Sequence, residues 1–145
     1  MLKVLVDGCE PTRGSRYSAC VDLRASENIA INAGETVLVG LGVAIDGNSE
    51  YMDDYFMKHH YMQLMIRSGL SKKLQINNGV GIVDIDYRDE IKIRLHNPSQ
   101  NTERVYIKKG DRIAQITLLE HKSEIMNIHS DDTRTGGFGS TDKKD

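Results

Sequence analysis

Apolar residues in this chain fall in short runs separated by glycine or by Asn- and Asp-rich turns. Val37-Leu38-Val39 and Ile91-Lys92-Ile93-Arg94-Leu95 are typical. The second run alternates apolar and polar side chains, the period of an extended segment with one buried face. No long stretch carries a clean helical period, and no internal repeat is present. Many short strands with turn signals between them predict an all-β sandwich or barrel. In order, strands are expected over 2–6, around Val21-Asp22-Leu23, over 28–31, 35–45, 61–66, 91–96, 104–107 and 112–119. Residues 7–18 read as a loop containing Pro11 and Gly14. Asn32-Ala33-Gly34 is a hairpin-type turn joining the strands on either side. The strand at 104–107 is expected to pair back onto 91–96 across the turn at 97–101. In the last strand Ile113 and Leu119 flank the core and leave Gln115 for a polar task. Residues 46–60, DGNSEYMDDYFMKHH, break the pattern. They open with turn chemistry and become aromatic, methionine-rich and acidic, so a loop or short irregular insert is expected.

At 145 residues the chain suits one domain with a proper core. The composition shifts after Ile128: residues 129–145 are polar and glycine-rich and cannot bury a core. The division is therefore a β domain over 1–128 and a mobile arm over 129–145. A net charge of −2 gives no electrostatic footprint for nucleic acid. Cys9 and Cys20 lack metal-type spacing, and a reducing compartment fits them as well as any. His59 and His60 are adjacent, a poor spacing for two ligands on one metal. No signal pattern opens the chain and no apolar run is long enough to span a bilayer. A soluble, cytoplasmic protein with no membrane partner is expected.

Four stretches carry chemistry. In NGVGIVDIDYRDE, residues 78–90, alternation around Ile85 puts Asp84 and Asp86 on one face of an extended hairpin. Gly79 and Gly81 let backbone approach a ligand closely. Bare backbone, a carboxylate and the Tyr87 ring suit a small planar ligand and acid–base work on it; an acidic surface turn fits the same residues. RSGLSKK, residues 67–73, offers the Arg67 fork, the Ser68 hydroxyl and a Gly69 backbone N–H, a phosphate cradle or a charged turn. Asp22 faces away from its apolar neighbours, as a surface aspartate would. GGFGST, residues 136–141, places Phe138 between glycines, either a disordered end or an arm with one ring to close over a flat base.

Taken together, ACVDLRA at 19–25, RSGL at 67–70, NGVGIVDIDYRDE at 78–90, GDRIAQ at 110–115 and GGFGST at 136–141 resemble, in order, the five motifs of the trimeric dUTP pyrophosphatase (dUTPase) family. The bacterial, phage and viral members look most similar. The resemblance implies a jelly-roll-like β-barrel, a homotrimer with active sites between subunits, and hydrolysis of dUTP to dUMP and pyrophosphate. That reaction limits uracil in DNA and supplies dUMP for dTMP synthesis, in a host's cytoplasm if the source is a phage or virus. By resemblance, Asp84 activates the attacking water and Tyr87 lies beneath the deoxyribose. Asn78, the backbone at Gly81, Ile82 and Val83, and the backbone at Lys92 read uracil. Arg67, Ser68 and Gly69 contact phosphate, and Gln115 lies near the α-phosphate. Asp22 holds Mg²⁺ through water. Phe138, delivered by a neighbouring subunit, stacks on uracil, and Gly139 and Ser140 continue the arm.

The chain also departs from the family pattern. Thr133 stands where the family usually has the arm arginine, and Arg134, one residue later, is expected to reach the γ-phosphate instead. Asp89 replaces a common glycine, and Cys20-Val21 replaces the usual Gly-Tyr. The insert lengthens a connection that is shorter in many relatives; a lid, a trimer contact or a regulatory protein partner at 46–60 would each use it. A sister activity, dCTP deamination, needs a glutamate where this chain has Arg94. A regulatory binding module is the reading from another class, supported by the insert alone.

Overall fold

The computed structural model describes residues 1–131, 133, 134 and 136–138. Among these, the strands are β1 (Leu2–Val4), β2 (Val21–Arg24), β3 (Ile29–Ile31), β4 (Thr36–Gly40), β5 (Val43–Ile45), β6 (His60–Ile66), β7 (Gln75–Ile76), β8 (Gly81–Asp84), β9 (Lys92–His96), β10 (Val105–Ile107) and β11 (Arg112–Glu120). One α-helix, α1 (Asp54–His59), joins β5 to β6, and 3-10 turns form at Leu70–Lys72 and Ser123–Met126.

The strands assemble antiparallel into sheets ordered β2-β11-β6-β8, β4-β9-β7, β1-β5 and β10-β3. In none of these sheets does a strand pair with its neighbour in sequence. Each connection crosses to another sheet, and the sheets wrap around one core as a jelly-roll-like β fold. Leu23, Ile31, Val39, Leu41, Ile45, Leu74, Ile85, Ile93, Leu95 and Ile113 are fully enclosed there. Burying each such side chain contributes about 1.5–3 kcal/mol. Alternation in β9 is clean, with Ile93 and Leu95 inside and Arg94 outside. Where β9 leaves the core, buried Asn97 donates through Nδ2 to the carbonyls of Ile31 and Glu103, each at 3.0 Å. Its Oδ1 accepts from the Ser99 N–H at 3.1 Å, so the buried amide is fully partnered.

Several sequence expectations are corrected. The turn at 32–34 forms, with the Glu35 N–H donating to the Asn32 carbonyl at 3.0 Å, but the strands it joins do not pair. β3 pairs with β10 and β4 with β9, so no hairpin results. For the same reason residues 105–107 do not return onto 92–96. The single strand expected over 35–45 breaks after Gly40, and Gly42 takes φ +63°. There its carbonyl accepts from the N–H groups of Leu5 at 2.7 Å and Val6 at 3.2 Å, which ends β1 early. Leu119 is 38% exposed rather than a core residue, because β11 runs past the core at that end. The insert is not wholly irregular. The Asp53 carboxylate caps α1 by accepting from the Phe56 N–H at 2.7 Å, and Lys58 pairs with Asp54 one turn earlier at 2.8 Å. A helix of six residues is too short to show a period in sequence.

Gly42→Ala is expected to lower the unfolding free energy by about 2–4 kcal/mol. The added Cβ would lie 2.6 Å from Cys9 Cβ and 2.7 Å from its Sγ. Gly8→Ala is the control: it shares a positive φ, +85°, but nothing lies within 4 Å of the new atom. Its expected loss is about 1 kcal/mol. Urea midpoints at constant m value measure both. Equal losses would show that backbone conformation alone, and not the approach of Cys9, demands glycine at 42.

Candidate active site

β8 lies at the edge of its sheet and pairs with β6, Tyr61 opposite Asp84 and Leu64 opposite Gly81. The strand stops at Asp84, and the Tyr87 N–H closes a turn onto the Asp84 carbonyl at 3.1 Å. The expected extended hairpin to Tyr87 is therefore a single strand and a turn. The predicted separation of faces survives. Ile85 and Tyr87 are buried, and Asp84 and Asp86 are exposed. Tyr87 donates its hydroxyl proton to the Glu90 carbonyl at 3.1 Å. Burial first, then the charge of Asp89, pushes its phenol above the ordinary value, so the ring stays neutral. Arg88 donates to the carbonyls of Ile85 and Tyr87 and holds the turn.

A pocket of about 520 Å³ opens beside this turn. Asn78, residues 81–83, Asp84, Tyr87 and Lys92 line it, as the sequence predicted, and Arg94 joins them. A side chain at Gly81 would sit 3.1 Å from Leu64 Cβ, so backbone itself forms this wall. The described part of the arm crosses the pocket of its own chain. Arg134 pairs with Asp84 through Nη2 and with Asp86 through Nε, the latter at 2.9 Å. Its guanidinium also lies 6.0 Å from the Tyr87 ring centroid. Gly137 packs so closely on Tyr87 that a Cβ would fall 2.8 Å from Cε2. Phe138 meets Tyr87 edge-on at 6.4 Å. Arg134 thus stands on the two carboxylates and not beside Arg67. Gly139 and Ser140 lie outside the described residues.

A second cluster gathers the phosphate-type residues. Asp22, 7% exposed on β2, pairs through Oδ1 with Arg67 Nε at 2.9 Å and accepts through Oδ2 from Arg112 Nη1 at 3.3 Å. Gln115 is the cross-strand partner of Asp22 and donates to the Ile66 carbonyl at 3.3 Å. Ser68 and Gly69 form an exposed turn after β6, with open space around Gly69. Arg67, Gly69, Arg24, Lys73, Arg104 and Arg112 share a cleft of about 720 Å³. Motif reading gave Arg24, Lys73, Arg104 and Arg112 no role, because they arrive from four separate segments. Arg24 and Arg112 stand inside the ACVDLRA and GDRIAQ strings and Lys73 ends RSGLSKK, while Arg104 belongs to none of them.

Asp22 also bears on metal binding. Both of its oxygens are engaged by guanidinium groups, and among the described residues no group of three or more His, Cys, Asp or Glu side chains could hold a metal ion. The donor set does not fit an ion bound by protein alone. Asp22 would meet a hydrated Mg²⁺ through water only.

The two clusters are far apart within one chain. Asp84 shares a row with Tyr61 and Leu119, while Asp22 shares a row with Gln115 and Met65. The rows lie four residues apart along β6, and β2 and β8 are at opposite edges of the sheet. Strand spacing and rise then place Asp84 roughly 20 Å from Asp22 and roughly 16 Å from Gln115.

Comparison with known proteins identifies the family. The sequence profile of dUTPase matches residues 8–142. A deoxyuridine 5'-triphosphate nucleotidohydrolase from Debaryomyces hansenii is 38% identical over 141 residues, covering 92% of this chain and 80% of that protein. One from Paramecium bursaria Chlorella virus 1 is 34% identical over 147 residues, covering 97% of this chain and 96% of its own. The crystal structure of dUTPase from Streptococcus mutans superposes with a TM-score of 0.68 at 25% identity, over 82% of this chain and 94% of that one. The match runs through both residue clusters and the strands that carry them, and the chain belongs to the dUTPase family.

Proposed function

We propose that the protein is a dUTP diphosphatase that releases dUMP and pyrophosphate. The observation that carries this reading is the pocket itself: bare backbone at Gly81, an enclosed neutral tyrosine and an exposed carboxylate at the rim. Uracil fits against the backbone of residues 81–83 and Lys92 and the amide of Asn78. Tyr87 supports the deoxyribose, where a 2′-hydroxyl would press on the ring.

Asp84 takes the proton of a water that attacks the α-phosphorus in line, a step that needs the base within hydrogen-bond reach. A carboxylate is a weak base, so most of the rate comes from positioning and charge stabilisation. Arg67, Ser68, Gly69 and Gln115 hold the phosphates, and Asp22 aims the Arg67 fork. When bound, Mg²⁺ neutralises phosphate charge, with Asp22 as its water-mediated contact. Arg134 covers Asp84 in this chain, so turnover requires it to leave. The triphosphate, with roughly four negative charges, is the stronger partner and draws Arg134 toward the γ-phosphate.

The separation of the clusters supports a homotrimer with shared sites. A water between a base and a phosphorus spans roughly 6 Å, far less than the roughly 16 Å from Asp84 to Gln115 of the same chain. The cradle that faces Asp84 is therefore supplied by another subunit.

With Mg²⁺ present, pyrophosphate release is expected from dUTP and not from dTTP, dCTP or UTP. Asp84→Asn is expected to lower kcat by about 10²–10⁴-fold with little change in KM. A folded, trimeric sample that left dUTP intact would end the enzymatic reading. Mixing offers a separate check on shared sites. Asp84→Asn chains and Arg67→Ala chains, each nearly inactive, are expected to recover on the order of a quarter of the parent rate after unfolding and refolding together. Mixed trimers with no recovery would place base and cradle in the same chain.

A further inference from the structure

Arg94 lies outside all five motifs, yet it lines the base pocket. The alternation of β9 explains why. Ile93 and Leu95 fill the core, so Arg94 is turned outward on the side of Lys92. Its backbone is fixed by pairing with Leu38 on β4 and by the Asn77 N–H, which donates to the Arg94 carbonyl at 3.3 Å. Among the described residues Arg94 has no carboxylate partner. Its guanidinium instead lies 6.0 Å from the Phe138 ring centroid. On its other flank Phe138 meets the edge of Tyr87 at an interplanar angle of 83°. The ring is still 49% exposed, and its backbone φ of +54° is unusual for a bulky residue. Among the described residues the Tyr87 edge and Arg94 are the ring contacts of Phe138, so a planar cation against it carries much of the orientation.

We propose that Arg94 is a positioning residue for the arm: it clamps Phe138 by a cation–π contact at the mouth of the base pocket and sets affinity for the uracil nucleotide. It acts through the ring and not on the reacting phosphates, so it governs KM and leaves kcat nearly unchanged. The clamp depends only on the rim position of Arg94 and works whichever chain supplies the arm. This inference rests on the dUTPase reading of the pocket.

A double-mutant cycle tests it. Arg94→Met keeps length and removes charge; it is expected to raise KM for dUTP about threefold to tenfold with kcat within about twofold. Arg94→Lys, which retains a cation, is expected to recover part of the loss. In a Phe138→Leu background Arg94→Met should add less than about twofold, because the ring it acts through is gone. An unchanged KM in Arg94→Met, or an equal penalty in both backgrounds, would overturn the clamp, the latter in favour of direct contact with substrate. Because the chain has no tryptophan, Phe138→Trp gives a single fluorescent reporter at the arm. Its titration with a non-hydrolysable dUTP analogue should shift to higher concentration when Arg94 is replaced by Met. That readout needs no turnover: an inactive parent would sink the proposed function, while an unshifted titration would sink the role of Arg94.

Discussion

The position of β6 between β8 and β11 is the constraint on which the rest of the site depends. One flank of β6 holds Asp84 opposite Tyr61, and the other holds Gln115 opposite Met65. Backbone hydrogen bonds fix that register, and a slip of one residue would turn every side chain to the wrong face. The register therefore sets both the exposure of Asp84 and its distance from Asp22 and Gln115. A chain built this way holds its two residue clusters far apart on one sheet.

The two aspartates at the ends of this sheet sit in different electrostatic settings. Asp22 is almost enclosed and shared by Arg67 and Arg112. Removing either side of such a group strands charge in a poorly solvated place, so this cluster is a permanent part of the scaffold. Asp84 has a side chain 54% exposed, and its ion pair with Arg134 is open to water. Exposed pairs are worth about 0–1 kcal/mol, little enough for a phosphate to displace. The enclosed pair fixes the Arg67 guanidinium in place, while the exposed pair leaves Asp84 free to be uncovered.

The insert is tied to the same machinery at both ends. At its root, Arg88 packs so closely on Gly47 that a Cβ there would lie 2.7 Å from Nε, and Arg88 also holds the turn after Asp84. At its end, α1 runs directly into β6, where Tyr61 faces Asp84 across the ladder. His60 is fixed at that junction by stacking on Phe56 at 4.2 Å and by a hydrogen bond to the Phe56 carbonyl at 3.0 Å. Tyr51 and Tyr55 remain exposed on its outer side.

The sequence by itself determined the all-β class, most strand positions, the inward face of β9, the alternation around Ile85, and part of each cluster. These are local properties: a period of two, a glycine beside a carboxylate, and short strings in a fixed order. Strand partners were not legible. The turns at 32–34 and 97–101 look like hairpin turns, yet each connects strands in different sheets, because closing the barrel buries more apolar surface than pairing neighbours would. The helix in the insert was hidden by its shortness, and the break at Gly42 by a contact with Cys9 that local sequence does not contain. Arg112 on Asp22, Arg134 on Asp84 and Arg94 on Phe138 likewise join residues distant in sequence. Only the tertiary structure decided these contacts, because they depend on which strands lie side by side, and that is settled by the packing of the whole core.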